Sequence, residues 1–320
     1  MPAIPVGILG ATGMVGQQFI ALLADHPWFK VEYLGASERS AGKAFRDAAA
    51  WRLPNRLPDD VARRAVETAA PGTAPRLVFS GLDSSVAGEI EAAFAAAGHI
   101  VVSNSRNYRM FDTVPLMIPE VNAEHLRLLD AQAAAQGWKG RIVTNPNCAT
   151  VVLAMALAPL RQFGLKTTLV TTLQAISGAG YPGVPSWDIL GNIIPHIGGG
   201  EEEKIETETC KILGSLGAGR VENHPVRVSA TTTRVPVQNG HTGSISIGLE
   251  RDGELVGGRI DPALLPRALD RALREQHVGD VDELAPVEEV AVAQVARRRE
   301  DVELEADAPG RSEEHTSELQ

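Results

Sequence analysis

The sequence predicts an α/β protein, with an N-terminal doubly wound parallel sheet followed by an α+β domain built on a mixed sheet. Three observations carry this prediction. Short apolar runs alternate with helix-like stretches through the first half of the chain. A glycine-rich turn follows the first of those runs directly. Beyond residue 149 the extended runs become long, β-branched and successive, which suits mixed or antiparallel pairing. The 320 residues, 44% hydrophobic, are enough to bury one large core or two ordinary ones.

Composition also sets expectations about partners. The formal net charge is -10, and no basic run is longer than Arg297-Arg298-Arg299, so nucleic acid is not an expected partner. The two cysteines are far apart and offer neither a disulfide framework nor a CxxC pair. The eight histidines are scattered without an HxxxH pair, so no metal site is expected. Met1-Pro2-Ala3 runs into the first apolar segment without a basic leader, and no apolar run approaches the ~20 residues that span a bilayer. The expectation is a soluble, cytoplasmic protein with no membrane partner.

In chain order, Ile4 to Leu9 reads as a buried strand. Gly10-Ala11-Thr12-Gly13-Met14-Val15-Gly16 follows, then an amphipathic helix from Gln17 to Ala24. This GxxGxxG turn suits a dinucleotide: glycines allow close backbone approach, and the helix start faces a pyrophosphate. Gly10, Thr12, Gly13, Met14, Val15 and Gly16 are therefore cofactor candidates in a Rossmann-type sheet. The second strand, Lys30 to Gly35, ends in Ala36-Ser37-Glu38-Arg39-Ser40. Ser37, Arg39 and Ser40 offer hydroxyls and a guanidinium to a 2′-phosphate, so NADP is favoured over NAD, with Glu38 discordant. The plainer reading of these residues is a polar surface loop.

A strand from Arg76 ends at Ser80-Gly81, a further cofactor candidate at Ser80. The alanine-rich helix Ser84 to Ala97 and the strand His99 to Ser103 follow. The loop Asn104-Ser105-Arg106-Asn107-Tyr108-Arg109-Met110 then leaves the carboxyl end of a strand, the edge where such sheets bind ligands. Its arginines could clamp an anion, or could be surface residues. Met117 to Asn122 is expected to be extended and Ala123 to Gln136 helical.

Next comes Asn145-Pro146-Asn147-Cys148-Ala149-Thr150, between the strand-like Arg141 to Thr144 and the helix-like Val151 to Leu157. A cysteine at a helix start sits near unpaired N–H groups, which favours the thiolate. By itself it could equally be a small buried hydrophobe. The long strand Lys166 to Ser177 leads into the loop Gly178-Ala179-Gly180-Tyr181-Pro182-Gly183; Ser177, Gly178 and Gly180 are expected at the cofactor. Gly198 to Gly214 reads as a helix with acids in its first turn, in which Glu201 and Lys204 share a face and Lys204 pairs with Glu208. Cys210 is expected to be structural. Two further strands are expected at Val226 to Pro236 and Gly243 to Leu249, with Arg234 and His241 at the ends of the turn between them. That placement suits an active-site rim, although a lone histidine is often structural.

Taken together, these residues resemble the aspartate-β-semialdehyde dehydrogenase family, in its archaeal and fungal-like branch. The motifs that carry the resemblance run in order: GATGMVGQQF, SNSRNYRM, TNPNCAT, LQAISGAGYPG, EEEKIETETCKILG and RVPVQNGHTGSISI. The resemblance implies a Rossmann-type NADP-binding domain over residues 1–148 and a catalytic and dimerisation domain over 149–310. It implies reversible, NADP-dependent conversion of L-4-aspartyl phosphate to L-aspartate 4-semialdehyde and phosphate, a step in threonine, methionine, lysine and diaminopimelate biosynthesis. By that resemblance Cys148 is the nucleophile, His241 the acid/base and Gln174 the group that orients the intermediate. Asn147, Arg109 and Lys204 would hold phosphate, Arg234 the substrate carboxylate and Glu201 its ammonium. A homodimer or homotetramer is implied.

The resemblance weakens after Leu249. The family's closing Asn-rich and Gly/Ala-rich cofactor motif is not found, and the best helix there is Pro262 to Glu275. Residues 311–320 match the in-frame translation of a common sequencing adapter and are expected to be a non-native tail on an incomplete second domain. Alternative readings are a related acyl reductase, acting on malonyl-CoA or N-acetyl-glutamyl phosphate, or an inactive NADP-binding relic.

Overall fold

The computed structural model describes residues 3–250, all within one compact unit. The expected helix at 262–275, the end of the second domain and the tail at 311–320 lie outside the described residues.

The chain runs β1 (Ile4–Leu9), α1 (Met14–Leu23), β2 (Phe29–Ala36), α2 (Phe45–Ala48), α3 (Asp59–Arg63), β3 (Glu67–Thr68), β4 (Leu77–Ser80), α4 (Ser84–Ala97) and β5 (Ile100–Ser103). Then come α5 (Pro119–Asn122), α6 (Leu128–Gln136), β6 (Arg141–Thr144), α7 (Cys148–Leu157) and β7 (Leu165–Gln174). The rest is α8 (Ser186–Ile189), β8 (Ile194–Pro195), α9 (Glu201–Ile212), β9 (Ser215–Leu216), β10 (Val221–Glu222), β11 (Arg227–Arg234) and β12 (His241–Leu249).

The first sheet has the order β3-β2-β1-β4-β5-β6, and every pairing in it is parallel. All its strands therefore end on one edge, where the loops of a doubly wound sheet meet ligand. Helix α1 begins three residues earlier than the apolar pattern suggested, directly after Gly13. Gly10 has φ +73, and a Cβ there would lie 2.8 Å from the Gly81 carbonyl oxygen, so the turns after β1 and β4 can touch only through glycine.

The second sheet has the order β12-β7-β11-β8. It is mixed, as expected: β11 runs parallel to β7, while β12 and β8 run antiparallel to their neighbours. Strand β7 alternates outward and inward from Thr168 to Gln174. It stops at Gln174, not Ser177, because the N–H groups of Ile176 and Ser177 donate to Val237 and Gln238 and a 3₁₀ turn forms. The segment Met117–Asn122 also departs from expectation. Pro119 opens a helical turn, and Asn122 closes it by accepting from the Ile118 N–H and donating to the Leu116 carbonyl.

Helix α7 is apolar almost all round but buries one side, leaving Cys148, Val152 and Ala156 on an exposed face. Leu153, Ala154 and Leu157 pack with Ile205 and Ile212 of α9 and with Leu165 and Val170 of β7. Each fully buried leucine or isoleucine contributes about 1.5–3 kcal/mol. The start of α7 is thereby held against both α9 and the mixed sheet.

Candidate active site

Strand register assembles one side of the site. In the mixed sheet, Arg234 of β11 and His241 of β12 both pair with Gln174 of β7. These three residues thus form one row at the sheet end. Arg234 donates to the Ala175 carbonyl at 2.7 Å. A Cβ on Gly178 would lie 2.8 Å from Arg234 Nη1 and 3.1 Å from His241 Cε1, so the loop after β7 passes directly against that row.

Cys148 faces the row from the first position of α7. Its Sγ lies 3.1 Å from His241 Nε2. His241 Nδ1 accepts the Ala175 N–H at 3.1 Å, which assigns the neutral ring's proton to Nε2, toward the sulfur. Burial, and then the Arg234 charge, hold the imidazole below its ordinary pKa. The backbone N–H groups of Cys148 and Ala149 favour the thiolate, as the helix start suggested. They do not win: burial and the Glu201 charge raise the thiol above its ordinary value, although Cys148 keeps an exposed face.

Asn147 caps α7. Its Oδ1 accepts from the Ala149 and Thr150 N–H groups at 2.9 and 3.2 Å, and its Nδ2 donates to Glu201 at 2.7 Å. Glu201, the first residue of α9, also accepts from Lys204 at 3.0 Å and Gln174 at 3.4 Å. Burial pushes the Glu201 carboxyl up, but these donors together outweigh it and hold the group below its usual value. The expected Lys204–Glu208 pair does not form. Lys204 turns to Glu201, and Glu208, 2% exposed, accepts from Arg109 Nη1 at 2.9 Å instead. Arg109 is itself buried, with Nη2 donating to the Asn104 carbonyl.

The cofactor candidates divide. Ser37 and Arg39 line a cleft of about 410 Å³ at the end of β2, together with Glu38 and Thr68; Ser40 does not line it. The helix α1 that follows Thr12 and Gly13 starts without a side-chain cap, next to Met14 and Val15, while Gly16 packs on the Gly10 carbonyl. Ser177, Gly178 and Gly180 lie on the exposed loop after β7. Ser80 departs from expectation: it is fully buried, and its hydroxyl donates to Glu91 at 2.6 Å, because this position of β4 faces α4. Cys210, expected to be structural, donates to the Val226 carbonyl. Among the described residues, no group of three His, Cys, Asp or Glu side chains could hold a metal ion. No helix among them is long and apolar enough to cross a membrane.

Residue-level reading missed Glu208 and Lys211 as parts of this region. Lys211 donates to the carbonyls of Arg109, Phe111 and Val114 at 2.6, 2.7 and 2.9 Å. The available signal was charge on the inward face of α9, where Glu208 and Lys211 follow the buried Ile205.

The site thus joins a thiol and an imidazole to three cations and to the Glu201 carboxylate, which accepts from Asn147, Lys204 and Gln174, a set able to attack an acyl group beside an anion. Residues 5–129 match the family described as semialdehyde dehydrogenase, NAD binding domain, and residues 157–302 match semialdehyde dehydrogenase, dimerisation domain. An aspartate-semialdehyde dehydrogenase from Archaeoglobus fulgidus is 48% identical over 248 residues, which is 77% of this chain and 72% of the relative. One from Cryptococcus neoformans is 48% identical over 290 residues, 87% of this chain and 78% of the relative. The crystal structure of aspartate semialdehyde dehydrogenase with NADP from Candida albicans superposes with a TM-score of 0.74 at 42% identity, covering 85% of this chain and 76% of that one.

Proposed function

The chain belongs to the aspartate-semialdehyde dehydrogenase family of enzymes, and from that premise we propose that it converts L-4-aspartyl phosphate reversibly to L-aspartate 4-semialdehyde and phosphate through a Cys148 thioester. The observation that carries the chemistry is the 3.1 Å approach of His241 Nε2 to Cys148 Sγ at the start of α7.

In this reading the Cys148 thiol loses its proton to solvent at its exposed face, and the thiolate attacks the acyl carbon and forms the thioester as the bond to phosphate breaks. The Nε2–H of His241 favours the thiolate by hydrogen bonding. Arg109, Asn147 and Lys204 receive the leaving phosphate, Arg234 binds the substrate carboxylate, and Glu201 binds its ammonium. The oxygen of the tetrahedral adduct on Cys148 is protonated by the His241 ring and oriented by Gln174. Burial and Arg234 destabilise the imidazolium, so a His241 ring that has taken up a proton from solvent gives it readily to that oxygen, and takes it back as the C–S bond breaks and the aldehyde leaves.

NADPH supplies the hydride when bound. The chain's residues fit it: the uncapped start of α1 and Gly13 suit the pyrophosphate, and Ser37 and Arg39 in their cleft suit a 2′-phosphate. Residues 1–148 are proposed as the NADP-binding domain and 149–310 as the catalytic and dimerisation domain, in a homodimer or homotetramer. The reaction places the protein in threonine, methionine and lysine biosynthesis.

The test follows NADP reduction with aspartate semialdehyde and inorganic phosphate. Turnover is expected to require phosphate. Cys148→Ala is expected to abolish it while leaving NADP binding nearly intact. Full activity in Cys148→Ala, or turnover of malonyl-CoA instead, would overturn the assignment.

A further inference from the structure

We propose that Glu208 is a positioning residue for this reaction: its buried carboxylate fixes Arg109 as an anion ligand and, through the Asn147 N–H, sets the turn that presents Cys148. The inference rests on the proposed function and deepens it.

Glu208 lies on α9, seven residues after Glu201, and is 2% exposed. One oxygen accepts from Arg109 Nη1 at 2.9 Å. The other accepts from the Asn147 backbone N–H at 2.7 Å. Arg109 belongs to the loop after β5 and Asn147 to the turn after β6, so a single side chain ties both active-site loops to α9. Both tied groups are themselves buried, Arg109 to 8% and Asn147 to 7% exposure. Neither donor has water to fall back on, and Arg109 Nε already lacks an acceptor. Removing Glu208 would leave Arg109 with the Asn104 carbonyl as its remaining acceptor among these contacts.

The chemistry requires a carboxylate at this position. Two donors converge on Glu208, one of them cationic, and only a carboxylate presents two acceptors and a balancing charge. A glutamine would have one acceptor and would turn its NH₂ toward either Arg109 or the Asn147 N–H. A purely structural link would not need the charge. Charge is needed if a guanidinium must be held in a dry site before an anion arrives.

The experiment compares wild type, Glu208→Gln, Glu208→Asp, Arg109→Ala and the double variant Glu208→Gln/Arg109→Ala. Two readouts are used: steady-state KM for phosphate and for NADP with kcat, and protection of Cys148 from iodoacetamide by inorganic phosphate. In Glu208→Gln, the phosphate KM and the phosphate concentration giving half-protection should each rise about tenfold, equal to ~1.4 kcal/mol. The NADP KM should stay within about twofold of wild type, because Glu208 touches nothing near the β2 cleft. Glu208→Asp keeps the charge and should recover part of the loss; it also carries the comparison if Glu208→Gln does not fold. The double variant should lose less than the product of the two single losses, because part of Glu208's effect on phosphate runs through Arg109 and only the remainder through the Asn147 N–H.

Equal changes in both KM values, unchanged half-protection, or losses that multiply in the double variant would each overturn the proposal. The protection assay needs no turnover. If wild type lacks phosphate-dependent activity yet Glu208→Gln weakens protection, the reaction assignment fails and the Glu208–Arg109 linkage stands.

Discussion

Lys211 offers a test of how the loop that carries Arg109 is held. Its ammonium is 3% exposed and donates to three carbonyls, those of Arg109, Phe111 and Val114. Burial lowers its pKa from the ordinary 10.5 to about 8, against the pull of Asp112 and Glu208. At neutral pH the group is charged in both folded and unfolded chains, so the lowered value corresponds to about 3 kcal/mol of opposition to folding. Three hydrogen bonds from a charged donor contribute roughly 1.5–3 kcal/mol each and outweigh it. Lys211→Met is therefore expected to destabilise the protein by roughly 2–5 kcal/mol at pH 7.5. The pH dependence has a definite sign. Between about pH 8 and 10.5 the unfolded chain holds a proton that the folded protein has released. Stability from this group therefore rises with pH through that window and is flat below it. Urea unfolding of wild type and Lys211→Met at pH 7.5 and 9.5 should show the gap between them widening by about 2 kcal/mol, with other titrating groups cancelling in the difference. A gap that stays constant or narrows would refute the claim that burial opposes this charge.

Two further outcomes follow from the site geometry. Gly178→Ala places a methyl group against Arg234 and His241, so turnover should fall about tenfold or more while thermal stability changes little; unchanged kcat would mean the loop after β7 moves freely off that row. Because burial and the Glu201 charge both raise the Cys148 thiol, Glu201→Gln should shift the pH midpoint of Cys148 alkylation downward. Mass spectrometry with Cys210 as internal reference reads this, and an unmoved or higher midpoint would remove Glu201 as a cause.

Much of the architecture was legible locally. The period of apolar residues gave the strands at Ile4, Ile100 and Arg141 and the helix at Ser84 nearly to the residue. The turn at Gly10 was legible because its backbone φ and its tight packing are demands that only glycine meets. The end of β7 and the turn at Pro119 were misread, because each is decided by hydrogen bonds to another segment or to a side chain. Motif order also picked out Cys148, His241, Gln174 and Arg234 as one constellation.

What the sequence determined by itself was therefore the set of reactive groups, the alternation of elements and the family resemblance, since these rest on residue type and short-range spacing. Only the tertiary structure decided how those groups are held. The row of Arg234, Gln174 and His241 exists because the registers of three strands coincide at one end of a sheet. Ser80 turned inward to Glu91 because strand alternation, not its place in a motif, sets which way it faces. Cys148 meets His241 across 93 residues, and Glu208 meets Arg109 across 99 and Asn147 across 61. Contacts at such separations follow from how whole elements pack, and burial then shifts the proton affinities of the groups that packing brings together.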